Sequence, residues 1–161
     1  MNDISELAII HQLTDIEESR LGSILTVSPG VCLDAFVKIK FAGGIGDVSI
    51  GANSIINSGC VLYSGDGLKI GQDVLVSANV TFAPVNHAYE NLNLKIRDQG
   101  FKAGTGIRIG NDVWIGAGCV ILNNTIIEDG CVVAANSTIK GTLLKGGLYT
   151  GLPIRRIGER S

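Results

Sequence analysis

Residues 109–120 read Ile109-Gly110-Asn111-Asp112-Val113-Trp114-Ile115-Gly116-Ala117-Gly118-Cys119-Val120. A branched aliphatic residue returns every six positions, Gly follows it, and a compact residue stands at the fifth place of each unit. Six is the period of neither a helix nor a simple strand. It fits a coil in which each unit supplies one short strand and one turn.

The spacing extends along most of the chain. Apolar residues fall at Val27, Leu33, Ile39 and Ile45, at Ile50, Ile56, Leu62 and Leu68, at Ile70, Val76 and Phe82, and again at Ile109, Ile115, Ile121, Ile127, Val133 and Ile139. The fifth places hold Val37, Ser54, Cys60, Val74, Val80, Val113, Cys119, Thr125, Cys131 and Ser137, all small enough for a narrow interior. Gly, Asn and Asp crowd the turns, where sharp corners demand unusual backbone angles. Three units would close one triangular coil, each coil hydrogen bonding to the next as parallel strands do.

Composition agrees. Gly accounts for 22 of 161 residues and only 5% are aromatic, so the core must be built from Ile, Val, Leu and Ala. A net charge of −2, without an arginine-rich patch or a series of stacking aromatics, argues against nucleic acid as a partner. Polar or Gly residues break every apolar stretch short of the roughly 20 residues a membrane-spanning helix needs. Asp3, Glu6, Asp15, Glu17 and Glu18 are wrong for a secretory signal, so a cytoplasmic protein is expected. Cys60, Cys119 and Cys131 sit at inward fifth places and read as buried free thiols, whereas Cys32, at a sixth place, should face outward. No paired Cys spacing points to a metal.

The repeat breaks twice. In residues 1–22, Asp3 with Glu6 resembles a capping pair, and Leu7, Ile10 and Leu13 give one apolar side, which predicts a short helix lying over the end of the coil. The coil itself is expected over 23–153, followed by a tail at 154–161. Within the coil, about 88–106 has no repeat and must loop outward, with Asn86-His87-Ala88-Tyr89 at its mouth. Tyr89, Leu92, Leu94, Ile96 and Phe101 make this loop too apolar for a free tail, so it should fold onto something, a neighbouring subunit being the obvious candidate.

Three segments in this order carry a resemblance: Ile70 to Phe82 followed by Pro84-Val85-Asn86-His87, then Ile107 to Gly118 with Trp114, then Tyr149-Thr150-Gly151-Leu152-Pro153-Ile154-Arg155. Together they resemble the hexapeptide-repeat acyltransferases, in particular the galactoside, maltose and surface-polysaccharide O-acetyltransferases, over roughly Val48 to Arg155. The resemblance implies an all-β, left-handed parallel β-helix, although general rules favour right-handed crossovers. It further implies a homotrimer with acetyl-CoA lying between subunits and no metal. His87 matches the family's general base, suited to the task because imidazole titrates near neutral pH. The main-chain amide of Ala117 matches the donor to the oxyanion. Asn57 matches an acceptor-binding asparagine, though Asn is equally at home in a corner, and Asn86 carries the same ambiguity. Trp114 should line the groove beside pantetheine and acceptor, or pack at the subunit interface. Ala135 matches a backbone contact to pantetheine, and Arg155 a basic residue reaching the CoA phosphates, a role Arg156 could also fill. Lys140 is counted with the CoA-binding residues, reaching toward the nucleotide, although it is offset by one place from the family's lysine, whose position Gly141 takes.

Acetyl transfer from acetyl-CoA to a hydroxyl of a sugar or nucleotide-linked sugar, in surface-polysaccharide or glycoconjugate synthesis, is the leading reading. N-acetylation of an amino sugar is the runner-up, because an amine acceptor must also lose a proton. A serine acetyltransferase would carry a long helical N-terminal domain, and a metal-dependent carbonic anhydrase would need three histidines where this chain has His11 and His87. A non-catalytic scaffold explains the repeat but not the loop beside a histidine.

Overall fold

The structure, a computed structural model, describes residues 2–160; Met1 and Ser161, at the outer limits of the expected end segments, lie outside them. The chain winds as a parallel β-helix. Strands β1 (Asp3–Ile4), β2 (Ile9–Ile10) and β3 (Asp15–Ile16) form the first coil, and β4 (Leu25–Val27), β5 (Cys32–Leu33) and β6 (Lys38–Lys40) the second. The third is β7 (Val48–Ile50), β8 (Ile55–Ile56) and β9 (Val61–Tyr63), and the fourth β10 (Leu68–Ile70), β11 (Leu75–Val76) and β12 (Thr81–Ala83). After the loop come β13 (Ile107–Ile109), β14 (Trp114–Ile115), the bent β15 (Val120–Ile127), β16 (Val132–Val133), β17 (Thr138–Leu143) and β18 (Gly147–Thr150). A final strand, β19 (Arg155–Glu159), turns back antiparallel on β18.

The coils present three faces. β1, β4, β7, β10 and β13 stack on the first; β2, β5, β8, β11, β14, β16 and β18 on the second; β3, β6, β9 and β12 on the third. β15 rounds the corner between third and first faces without a break, pairing with both β12 and β13. Stacking in register sends every second residue inward, and the predicted first- and fifth-place residues form one buried column from Leu25 to Tyr149. Burying each Val, Leu or Ile contributes about 1.5–3 kcal/mol.

Corners explain the fourth place of each unit. Asn53, Asp73, Asn79, Asp112, Asn124 and Asn136 have φ between 52° and 64°, and Gly30, Gly59, Gly118 and Gly130 occupy the same left-handed region. Such angles suit Gly and are tolerated by Asn and Asp.

Two expectations fail. No helix caps the first coil: residues 3–16 make three strands, with Asp3 registered on Thr26, Ile9 on Cys32 and Asp15 on Lys38. Pairing with the second coil satisfies backbone groups along that coil's edge, which a helix packed on top would leave to water. Leu7 and Leu13, two residues of the supposed apolar helix side, are exposed. Ile45, expected inside, is 78% exposed. There the chain makes a wide turn between β6 and β7, in which Gly44 and Gly46 lie too close to the backbone of Gly65 and Gly67 for a Cβ of their own.

Candidate functional site

His87 stands where the chain leaves the coil. β12 ends at Ala83, buried Pro84 follows, and His87 pairs with Phe101 in an isolated antiparallel bridge. Ala88 N donates to Gly100 O at 3.1 Å and Lys102 N to Asn86 O at 2.8 Å. The imidazole packs against Phe101, with ring centroids 4.7 Å apart and planes tilted by 40°. His87 is otherwise exposed.

The loop is braced from within. Gln99 Nε2 donates to Asn91 O and Leu94 O, and its Oε1 accepts from Asn91 N. Lys102 pairs with Glu90, holding that carboxyl down to about 2, chiefly through their direct hydrogen bond. Leu92, Tyr89 and Ile96 still face solvent, at 97%, 61% and 58% exposure. The loop's return is clamped by the coil above: Asn123 Oδ1 accepts from Gly106 N, Asn123 Nδ2 donates to Asp66 Oδ2 at 2.6 Å, and Asn124 Oδ1 accepts from Thr105 N at 2.7 Å. Asn86 and Lys140 meet here, in a hollow shared with Tyr89, Lys102, Ala103 and Asn124.

Asn57, Trp114, Ala117 and Ala135 gather elsewhere, on the second face and its edge toward the third. Trp114 is half exposed on β14, between Leu75 and Val132 on the neighbouring strands, and its Nε1 donates to Ser77 Oγ at 3.2 Å. Asn57 lies on the same face and donates its Nδ2 to Val76 O at 2.7 Å, so part of its amide serves the coil. Ala117 and Ala135 are exposed corner residues in successive coils, bridged by Asn136 N donating to Ala117 O at 2.8 Å. Neither Ala117 N nor Ala135 N donates a hydrogen bond to any described residue, and Ala78 N in the coil before is equally free. Gly116 makes this stacking possible, since a Cβ there would meet Ala135 N at 2.5 Å.

The length of β12 separates the two groups within one chain, about 10 Å for three residues. Arg155 is exposed on β19 opposite Thr150, across β18 from the corner that holds Ala135. Arg156 is held by Glu159 at 2.8 Å. Arg160 was not among the sequence candidates. It pairs with Asp112 at 2.7 Å and lines a hollow with Leu75, Trp114 and Val132, putting a guanidinium beside the tryptophan.

Two family models match the coils: "Bacterial transferase hexapeptide (six repeats)" over residues 106–141 and "Hexapeptide repeat of succinyl-transferase" over 47–82. Galactoside O-acetyltransferase of Escherichia coli K12 is 30% identical over 113 residues, covering 70% of this chain and 54% of that protein. The chain carries hexapeptide repeats and is similar to acetyltransferases. It spans about half the length of that relative. The structure of AntD, an N-acyltransferase from Bacillus cereus in complex with dTDP and 3-hydroxybutyryl-CoA, superposes with a TM-score of 0.82 at 23% identity, over 99% of this chain and 83% of that one. A maltose O-acetyltransferase from Clostridium difficile 630 gives a TM-score of 0.64 at 23% identity, over 80% and 69%. These likenesses identify the fold as the left-handed parallel β-helix. Among the described residues, no helix is long and apolar enough to cross a membrane.

Proposed function

We propose that this hexapeptide-repeat protein transfers an acetyl group from acetyl-CoA to a hydroxyl of a sugar, in the cytoplasm and in the service of surface-polysaccharide or glycoconjugate synthesis. The observation that carries this reading is that one chain presents both an exposed His87 set against Phe101 and, at a separate corner, unbonded main-chain amides beside Trp114.

In the proposed reaction His87 takes the proton of the acceptor hydroxyl as its oxygen attacks the thioester carbonyl. Negative charge then gathers on the carbonyl oxygen, where Ala117 N–H, free of any protein acceptor, donates to it. Collapse of the tetrahedral species breaks the C–S bond, and the imidazolium returns the proton to the leaving thiolate of CoA. The pantetheine arm lies along Ala135 and Trp114, with Arg155 turned to the phosphates. Asn57 and Asn86 take acceptor hydroxyls. Lys140, which shares the loop-mouth hollow with Asn86, is assigned to acceptor or nucleotide phosphate according to which ligand enters there.

The separation of His87 from Ala117 supports a site built between copies of the chain, and so a homotrimer. A ladder of partly exposed apolar side chains on the second face, Ile9, Ile55, Leu75, Trp114, Val132 and Leu148, offers the surface for it. Exposed Leu92 and Tyr89 on the loop favour a neighbouring copy as their cover. N-acylation of an amino sugar remains the second reading, favoured by the likeness to AntD.

Mass spectrometry of sugars, amino sugars and nucleotide-linked sugars incubated with acetyl-CoA and the protein tests both. An acetyl adduct on a hydroxyl class, lost in His87→Ala, is expected. An adduct on amines alone would select N-acylation, and a protein that neither acetylates nor binds acetyl-CoA would be a scaffold.

A further inference from the structure

One corner departs from those stacked beyond it. At the fourth place of its unit Phe36 has φ 63°, where the corresponding left-handed corners of the later coils hold Gly59, Asn79, Gly118 and Asn136. An aromatic residue in the left-handed region is strained by about 1–3 kcal/mol, and such strain persists where surroundings or function require it. Packing does not require it here. The ring is 59% exposed, and the turn is held through its backbone, with Phe36 N donating to Leu13 O and Gly59 N to Ala35 O.

What lies beside this ring is polar and ordered. The register of β5 on β8 and of β8 on β11, carried one residue past each strand, stacks Asp34, Asn57 and Ser77 in one outward column. Adjacent strands are about 4.8 Å apart, so the column is about 10 Å long, the reach of one to two pyranose rings. Asp34 Oδ1 accepts from Ala35 N at 2.7 Å and Asn57 Nδ2 donates to Val76 O, leaving one oxygen on each side chain unbonded to any described residue. Ser77 Oγ accepts from Trp114 Nε1, so its O–H still has a proton to give. Above the column lies Trp114, at its lower corner Phe36.

We infer that Phe36 is an acceptor-binding residue, a platform on which the apolar face of a sugar ring stacks while its hydroxyls bond to Asp34, Asn57 and Ser77. The alternation of aromatic faces with unspent acceptors matches a pyranose, which shows C–H groups on its faces and hydroxyls around its rim. A lipid chain, which has no donors, would leave the carboxylate and amide oxygens unsatisfied. The inference rests on the sugar-acceptor reading above and extends it to a residue that the sequence patterns did not mark.

Phe36→Gly separates the roles. Gly relieves the backbone, so a structural platform with no ligand predicts an unchanged or raised melting temperature and nothing else. The experiment is saturation-transfer NMR with maltose and with p-nitrophenyl galactoside, which needs no turnover, together with KM for each sugar and for acetyl-CoA. Expected are loss of saturation transfer to the sugar ring, a rise of about tenfold in KM for the sugar, and an unchanged KM for acetyl-CoA, with Phe36→Tyr restoring wild-type values. Sugar contact equal in wild type and Phe36→Gly would overturn the inference, as would no contact in the wild type, or altered sedimentation in Phe36→Gly with sugar binding intact. Binding lost in Phe36→Gly with no acetyl transfer by the wild type would instead sink the transferase reading while leaving the platform standing.

Discussion

Replacing Asn123 with Ala should loosen the root of the loop that carries His87. Asn123 occupies an inward slot of β15 and is 1% exposed. Its Nδ2 donates to the Asp66 carboxylate at 2.6 Å, and its Oδ1 accepts from buried Gly106 N at 3.1 Å and from Asn124 N at 2.9 Å. Removing the amide abolishes a hydrogen bond to a charged group, worth about 1.5–3 kcal/mol, and leaves the Gly106 donor buried without a partner, at about 1–3 kcal/mol. Because the two losses share one side chain they do not add fully, and a total of about 3 kcal/mol is expected. For a chain of this size that corresponds to a fall of about 6–12 °C in melting temperature by calorimetry. Hydrogen exchange should quicken first at Thr105–Ile107, and kcat should fall further than KM for acetyl-CoA rises, since the corner at Ala117 is untouched. Asp66→Asn, which keeps an acceptor for the amide, should cost less. An Asn123→Ala protein within about 0.5 kcal/mol of wild type, with unchanged exchange at the loop root, would refute the clamp.

Gly116→Ala should lose about 1–3 kcal/mol in urea unfolding, because its Cβ meets the backbone at Ala135 N and Ala134 C, which cannot swing aside as a side chain could; an unchanged midpoint would show that the coils can part there. Burial pushes the Cys60 thiol up to about 11 from an ordinary value of 9.0, so the unfolded chain gives up that proton first as pH rises. Stability attributable to Cys60 should be complete below pH 9 and decline between pH 9 and 11, a slope that Cys60→Ala removes in urea titrations. Thiol labelling in native protein should reach half-buried Cys32 well before Cys60, Cys119 and Cys131; simultaneous labelling of all four would contradict the packed interior. Arg155→Gln should raise KM for acetyl-CoA by about tenfold through loss of a phosphate contact, read against dephospho-CoA to show which phosphate is lost.

Much of the fold is written in the six-residue spacing because in a coil this narrow few side chains fit inside. Ile115, Cys119 and Ile121 announce their burial by size and interval alone. The first coil was equally legible in Ile4, Ile10 and Ile16, which keep the same interval. Its polar neighbours and the Asp3–Glu6 pair imitate a helix start, and only stacking on the second coil decides between the two. Ile45 misled because the wide glycine turn shifts the register, an effect that depends on which backbone lies above. At the site, His87 and Trp114 were marked by their motifs. Phe101, Asn123 and Arg160 were not, since each acts through a contact between segments distant in sequence. The clue for Asn123 was available, however: a polar residue between Ile121 and Thr125 at an inward interval asks for buried partners.

His87 and Ala117 belong to different groups within one chain, and the proposed reaction needs them together. Mixing two defective proteins tests that directly: His87→Ala lacks the base, and Ala117→Trp fills the exposed corner where the thioester would lie. Each alone should be inactive. Unfolded together in equal amounts and refolded, they should recover roughly a quarter of wild-type acetyl transfer, because an interface drawing each half from a random copy is intact at that frequency. Mixed assemblies that form, as seen by native mass spectrometry, yet show no activity above either parent would place the base and the oxyanion donor on the same copy and contradict a site shared between subunits.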